Sequence, residues 1–313
     1  MEQGIIMLHN ELHDKWLDWL KGSKLTVAAI HPVGGAESVR SLGELIAYVN
    51  SETGKNYLDR LRALGLKVEF EYHAMSWLLP REEFHSHPDW FRMDGQGERT
   101  PDVNLCPSNS EALSYIEDRA ELLAHALPTD TGKYYIWQDD VEGKGCCCPK
   151  CKKLSISDQI LLMMHAVLKG LRRKDPVARL SYLAYFDTLE VPHIRPEDGI
   201  FLEFAPFKRN LSLPLNHPAS PDNLSQSKTL LPLLAHFGKR DSCALEYWID
   251  NSLQSDFKRP PKELILHQDV ILQDIAFYKS LGFEKITSFA GYLDDEYCRL
   301  YGEPPVRRYA NIF

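Results

Sequence analysis

Two kinds of chemistry meet in the stretch YYIWQDDVEGKGCCCPKCKKLSISDQ, residues 134–159. Asp139 and Asp140 close an apolar, aromatic run (Tyr134 to Trp137) at the point where a strand hands over to a loop. Carboxylates placed there are candidates for proton transfer. Further on, Cys146, Cys148 and Cys151 stand as C-x-C-x2-C, a spacing that can set three sulfurs around one tetrahedral ion, and Cys147 is a neighbour able to substitute. Cys106, in Asn104-Leu105-Cys106-Pro107, offers a fourth thiolate if the preceding loop lies alongside. Four thiolates leave no open coordination position, so a zinc held by them would be structural; a disulfide or free thiols are the alternatives.

Other apolar runs end in polar residues as well. His31 follows one; Glu71 and His73 end the next; Glu203 sits inside Ile200-Phe201-Leu202-Glu203-Phe204; Glu246, Tyr247, Trp248 and Asp250 close another. Carboxylates mixed with tryptophan and tyrosine suit hydrolysis of a glycosidic bond, in which one acid protonates the leaving oxygen and a second carboxylate attacks carbon or activates water. The catalytic candidates are Asp139, Asp140, Glu203 and Glu246. The substrate-binding candidates are His31, Glu71, His73, Trp137, Arg209, Tyr247, Trp248 and Asp250. Period-two alternation lets only one of the two adjacent aspartates face a cavity; if Trp137 faces outward into the core, that one is Asp140. Competing structural roles are loop ordering for the aspartates, an ion pair with Arg209 for Glu203, and hydrogen-bonded structural imidazoles for the histidines. The same acidic mouth would also suit a divalent cation in a sugar isomerase or lyase, held by Glu203, Glu246 and a histidine. A non-catalytic carbohydrate-binding barrel is a third possibility.

Positioning such residues requires strand ends that converge. Eight strand segments are legible: Ile5 to Leu8, Leu25 to Ile30, Val68 to Tyr72, Tyr134 to Trp137, Arg179 to Ala184, Ile200 to Phe204, Ala244 to Trp248 and Lys285 to Phe289. Helical spacing separates them at His13 to Lys21, Tyr57 to Leu64, Ser110 to His125, Ile156 to Arg173, Ser227 to Phe237 and Pro261 to Leu281. Ser155 with Asp158 reads as an N-cap, and Gly282 as a helix stop. The alternation predicts a single α/β domain over residues 1–313, a (β/α)8 TIM barrel with long βα loops at its C-terminal face; a doubly wound open sheet is the alternative. The segment from His73 to Asn109 is too long for an idle connection and is expected to shape a cleft.

Composition narrows the partners. A formal charge of −8 and the lack of any long basic run argue against nucleic acid. The glycines of His31-Pro32-Val33-Gly34-Gly35 are not at dinucleotide-fingerprint spacing, so no nucleotide cofactor is expected. No apolar run reaches the ~18–20 residues of a membrane span, and the first residues lack a signal-peptide pattern. A cytoplasmic location with reduced thiols is the expectation, with oligomeric state left open.

Several segments together resemble a known family: HPDWFRMDGQGERTPDVNLCPSN, the strand end WQDD, the following CCCPKCKKLSISDQ, and the paired strands LSYLAYFDT and IFLEFAPFKR. Over roughly residues 25–297 the chain resembles uncharacterised glycoside-hydrolase-like (β/α)8 domains related to α-glucuronidases and, more distantly, to β-hexosaminidases. The resemblance implies a barrel, a polysaccharide or glycoconjugate substrate, and an acid/base site at the ends of the fourth and later strands. Asp139 or Asp140 would be the general acid and Glu203 or Glu246 its partner. A uronic acid in the substrate would find its counter-charge in Arg209 or Lys208. The hexosaminidase pattern has an Asp-Glu pair at the fourth strand end where this chain has Asp-Asp, which speaks against substrate-assisted chemistry.

Overall fold

The computed structural model describes residues 1–313. Eight parallel strands pair in chain order and close into a barrel: β1 Glu2–Leu8, β2 Val27–His31, β3 Lys67–His73, β4 Lys133–Trp137, β5 Arg179–Ala184, β6 Ile200–Phe204, β7 Cys243–Glu246 and β8 Lys285–Phe289. This is the (β/α)8 TIM barrel expected from the sequence. The bounds of β5, β6 and β8 are as read there, whereas β1 starts earlier, at Glu2, and β7 stops at Glu246 rather than Trp248.

Helices return the chain between strands, with Asp14–Leu20, Ser110–Ala126, Ile156–Lys174 and Leu230–Phe237 close to expectation and Glu52–Ala63 starting five residues earlier than expected. Ser38–Asn50 was not anticipated; Leu42, Leu45 and Val49, at helical spacing, bury its inner face. The last long helix starts at Gln268, not Pro261. At Ile156–Lys174 the reciprocal capping box forms. The Asp158 N–H donates to Ser155 Oγ (3.0 Å) and the Ser155 N–H donates to Asp158 Oδ2 (3.2 Å). Gly282, at φ 91°, takes the left-handed turn that ends Gln268–Leu281.

Every strand is buried on both faces, as a parallel barrel demands. Outward residues such as Ile30, Tyr72, Ile136, Tyr182, Phe204 and Trp248 join one large apolar layer against the helices. Inward residues, among them Ala29, Tyr135, Trp137, Leu183, Phe201, Leu245 and Tyr247, form a smaller cluster inside the barrel. Trp137 therefore faces inward, the reverse of the outward orientation that would turn Asp140 into the cavity by alternation.

Lower in the barrel, Lys285 pairs with Glu69 and reaches Glu71 at 3.3 Å, with its ammonium 4.0 Å from the Tyr135 ring centre. All three charged side chains are fully buried. Burial pushes the Glu71 carboxyl upward and the Lys285 charge pulls it back. Glu71 is thus an interior ion-pair member, not the substrate contact expected from its place in the sequence.

Candidate functional site

At the C-terminal ends of the strands lies a cavity of about 560 Å³. Its polar lining comes from His31 on β2, His73 on β3, Asp140 after β4, Tyr185 after β5, Tyr247, Asp250 and Ser252 after β7, and Tyr292 after β8. Trp137, Phe186, Phe207 and Phe289 supply aromatic surface, and Tyr247 stacks on Phe289 with the rings 9° from parallel. No lysine or arginine lines it.

The Trp137 indole N–H donates to Glu203 Oε2 at 2.7 Å. Glu203 is fully buried beneath this floor and does not line the cavity. Burial, with Glu71 adding, pushes its carboxyl well above the usual carboxylate range, and its Oε2 supports Trp137 from below. The two histidines are fixed by backbone acceptors: Nδ1 of His31 lies 2.5 Å from the Glu71 carbonyl oxygen and Nδ1 of His73 lies 2.5 Å from that of Gln138. A nitrogen facing a carbonyl oxygen must carry the hydrogen, which leaves each Nε2 for the cavity. Burial lowers His31 to about 3, so its Nε2 is an acceptor at neutral pH.

The adjacent aspartates divide the work. Asp139 is buried and points away from the cavity. It accepts the Ser76 N–H (3.0 Å), the Ser76 hydroxyl (2.8 Å) and the Asn104 N–H (2.7 Å), while its own N–H donates to Asn104 Oδ1 (3.1 Å). Arg81 stands 3.5 Å away. Asp139 is therefore a loop anchor rather than a proton donor. Asp140 is exposed and lines the cavity beside Tyr185, whose hydroxyl is pushed up by burial with the Asp140 charge adding. Gln138 turns outward, donating to the Leu183 carbonyl and to Thr188.

After β7, Asp250 is buried yet lines the cavity. Its Oδ1 accepts the Ser252 N–H (3.0 Å) and hydroxyl (2.5 Å). Burial raises its pKa, and the Ser252 hydrogen bonds offset part of the shift. Tyr247 senses both carboxylates: burial pushes its hydroxyl well up, with Tyr185, Asp250 and Asp140 adding.

Three other sequence candidates lie outside the barrel wall. Arg209 donates to Glu246 (2.7 Å) and to Asp274 (2.8 Å), the Tyr278 hydroxyl donates to Glu246 (2.5 Å), and the Trp248 indole donates to Asp274 (3.1 Å). The Arg209, Glu246 and Asp274 side chains have no solvent exposure. Because inward Leu245 and Tyr247 flank Glu246, alternation turns Glu246 and Trp248 toward the helix layer. Neither can touch a substrate in the mouth, and Arg209 is not free to pair with one. Glu203 and Glu246 lie on opposite faces of the wall, so they do not form a cation site with a histidine.

The four cysteines do converge. The sulfurs of Cys106, Cys146, Cys148 and Cys151 all lie within 4.8 Å of one another and are buried, whereas Cys147 is exposed beside them. The long segment after β3 contributes no residue to the cavity lining; His73 belongs to β3 itself. Its role is different from the cleft-shaping one expected: it carries Ser76, Asn104 and Cys106 to the β4 end. Tyr185, Phe207, Phe289 and Ser252 were not picked out from the sequence. Phe289 and Tyr185 sit at strand ends, a signal that was available; nothing local marks Asn104 or Ser76.

Three buried carboxyls make stability pH-dependent. Burial pushes Glu11 up to about 8 and Glu246 up to about 7, and moves Glu71 in the same direction. A carboxyl raised in the folded state gives its full contribution below its unfolded pKa and loses it as pH rises through the folded value. Lowered histidines such as His31 act oppositely, but their contribution is complete above the unfolded value of 6.5. The urea midpoint should therefore fall between about pH 6.5 and 8, and a flat or rising midpoint there would contradict these assignments.

Residues 47–230 match the family described as "Domain of unknown function (DUF4838)", more than half of the chain. The chain belongs to this family. The DUF4838 segment holds Asp139, Asp140 and the four clustered cysteines, and ends before β7 and Asp250. No curated protein sequence matches this DUF4838 chain. Solved structures share its fold. A β-N-acetylhexosaminidase from Bacteroides fragilis is similar over 100% of this chain and 66% of its own, at TM-score 0.58 and 13% identity. A GH20 exo-β-N-acetylglucosaminidase from Vibrio harveyi is similar over 99% and 54%, at TM-score 0.58 and 12% identity. A β-galactosidase from Marinomonas ef1 is similar over 93% and 54%, at TM-score 0.51 and 12% identity. The chain spans less than two thirds of the length of these proteins. No helix is long and apolar enough to cross a membrane.

Proposed function

We propose that the protein hydrolyses a glycosidic bond of a neutral sugar, with Asp140 and Asp250 as the working carboxylates. The observation that carries this reading is that an aromatic cavity at the barrel mouth receives two carboxylates in unlike environments, one buried and one open to solvent. Unlike environments are what separate an acid from a base. Asp250, whose pKa burial raises, takes the acid role, giving a proton to the glycosidic oxygen as the C–O bond breaks. Asp140, open to water, attacks the anomeric carbon or removes a proton from the attacking water. This replaces Glu203 and Glu246 by Asp250 and gives Asp140 the nucleophile or base role. The fold shared with a β-N-acetylhexosaminidase and a β-galactosidase supports a glycosidase.

The sugar's charge follows from the lining. Two carboxylates and no cation face the cavity, so a uronate would meet a negative field. Arg209 is buried against Glu246 and Asp274, and Lys208 is paired with Glu142. The Nε2 atoms of His31 and His73 suit sugar hydroxyls, and Trp137 and Phe289 suit the apolar ring face. The test is a panel of nitrophenyl glycosides, neutral sugars beside the glucuronide. Turnover of at least one neutral glycoside and none of the glucuronide is expected. Preference for the glucuronide would overturn the neutral-sugar assignment, and binding without turnover across the panel would favour a silent sugar-binding barrel.

A further inference from the structure

We propose that Cys106, Cys146, Cys148 and Cys151 hold one zinc ion as a closed tetrathiolate, and that this ion fixes the turn from which Asp140 reaches the cavity. The geometry is the first argument. Sulfurs about 2.3 Å from a tetrahedral ion lie about 3.8 Å from one another. Cys106 Sγ lies 3.8 Å from Cys148 Sγ and 3.9 Å from Cys151 Sγ, too far for disulfides and at the separation a shared ion imposes. Four neutral thiols would gain little from such an arrangement, since S–H groups are weak donors and acceptors.

The surroundings are built for negative sulfur. The Met93 N–H points at Cys146 Sγ (3.3 Å) and the Cys151 N–H at Cys148 Sγ (3.5 Å). The Arg99 guanidinium stands 3.9 Å from Cys146 Sγ. A tetrathiolate zinc carries a net charge of −2, and donors and a cation at its edge spread that charge. Gln159 fixes the loop from beneath, accepting the Cys146 N–H (2.7 Å) and donating to the Cys146 and Cys151 carbonyls (3.3 Å each). All four positions are filled by sulfur, so the ion has no place for water or substrate.

What the ion joins gives it a consequence. Cys106 is two residues from Asn104, whose N–H and Oδ1 hold Asp139, and Cys146 lies on the loop that leaves Asp140. The ion therefore pins both chains that flank the Asp139-Asp140 turn. The metal site stands on its own; the effect on catalysis rests on the hydrolase reading above.

Protein purified without added metal or chelator should contain one zinc per chain by elemental analysis. Exchange into cobalt should give thiolate-to-cobalt charge-transfer bands with the d–d bands of a tetrahedral site. Cys148→Ser should lose the metal and Cys147→Ser should keep it. If Cys148→Ser fails to fold, the cobalt spectrum of the wild-type protein decides alone. Substoichiometric zinc, one iron per chain in its place, or free reaction of all four thiols in the folded protein would overturn the site. These readouts need no substrate. Removing zinc should raise hydrogen exchange in both residues 89–106 and 139–151, and lower kcat by about 10²-fold through misplacement of Asp140, with recovery on adding zinc alone. Metal loss with unchanged exchange in those segments would overturn the positioning role, and unchanged kcat in an active enzyme would do the same.

Discussion

Asp140→Asn should lower kcat by about 10²–10⁴-fold, the range ordinarily lost with a positioned acid or base, and leave stability unchanged. The substitution keeps volume and removes only the charge. Asp140 is exposed and serves no cap or ion pair, so the fold has nothing to lose. Asp250→Asn should lose activity on the same scale, whereas Glu203→Gln should lose little, because an amide oxygen can still accept the Trp137 N–H. Asp139→Asn separates charge from position in a different way. Asn cannot accept at both side-chain atoms, so one of the bonds from Ser76 and Asn104 is broken and stability falls alongside activity. Steady-state kinetics and urea melts on the four variants distinguish these patterns. Full activity in Asp140→Asn would remove Asp140 from the reaction and with it the hydrolase reading in its present form.

The path from sequence to this site shows where local pattern carries information. The barrel was legible because eight β-rich runs of four to seven residues alternate with helical spacing, and burial on both faces makes those runs continuous. The same double burial hides which way each residue points. In Ile200-Phe201-Leu202-Glu203-Phe204 and in Cys243-Ala244-Leu245-Glu246 both faces are apolar, so nothing local tells that Glu203 faces inward and Glu246 outward. Asp140 was favoured from an orientation of Trp137 that the structure reverses, and it reaches the cavity because the chain leaves its strand register after Trp137. The cysteine cluster was legible because three of its members are close in sequence. The Asn104–Asp139 contact, 35 residues apart, depends on how a long loop packs and left no trace in the sequence.

Arg209→Met should destabilise the fold by about 3–5 kcal/mol, the usual cost of removing one partner from a buried ion pair. Arg209 is the only cation contacting Glu246 and Asp274, and none of the three side chains is exposed. With it gone, two carboxyls stay buried without a counter-charge, and they can become neutral only by taking up protons. The cost should therefore grow with pH: smaller near pH 5, where protonation relieves it, and larger near pH 8. In the wild-type protein Glu246 is already raised to about 7 by burial, so Glu246→Gln mimics a form that is populated at neutrality and should cost less than Arg209→Met. Replacing Arg209, Glu246 and Asp274 together by apolar residues of similar volume removes the uncompensated charge but leaves the Tyr278 hydroxyl, the Trp248 indole N–H and the Leu215 N–H without acceptors, so it should recover only part of the loss. Urea titrations at two pH values read all three variants. The opposite pattern, with Arg209→Met costing less than about 1 kcal/mol and Glu246→Gln losing activity at full stability, would return Glu246 to the reaction and require the β7 end to turn toward the cavity.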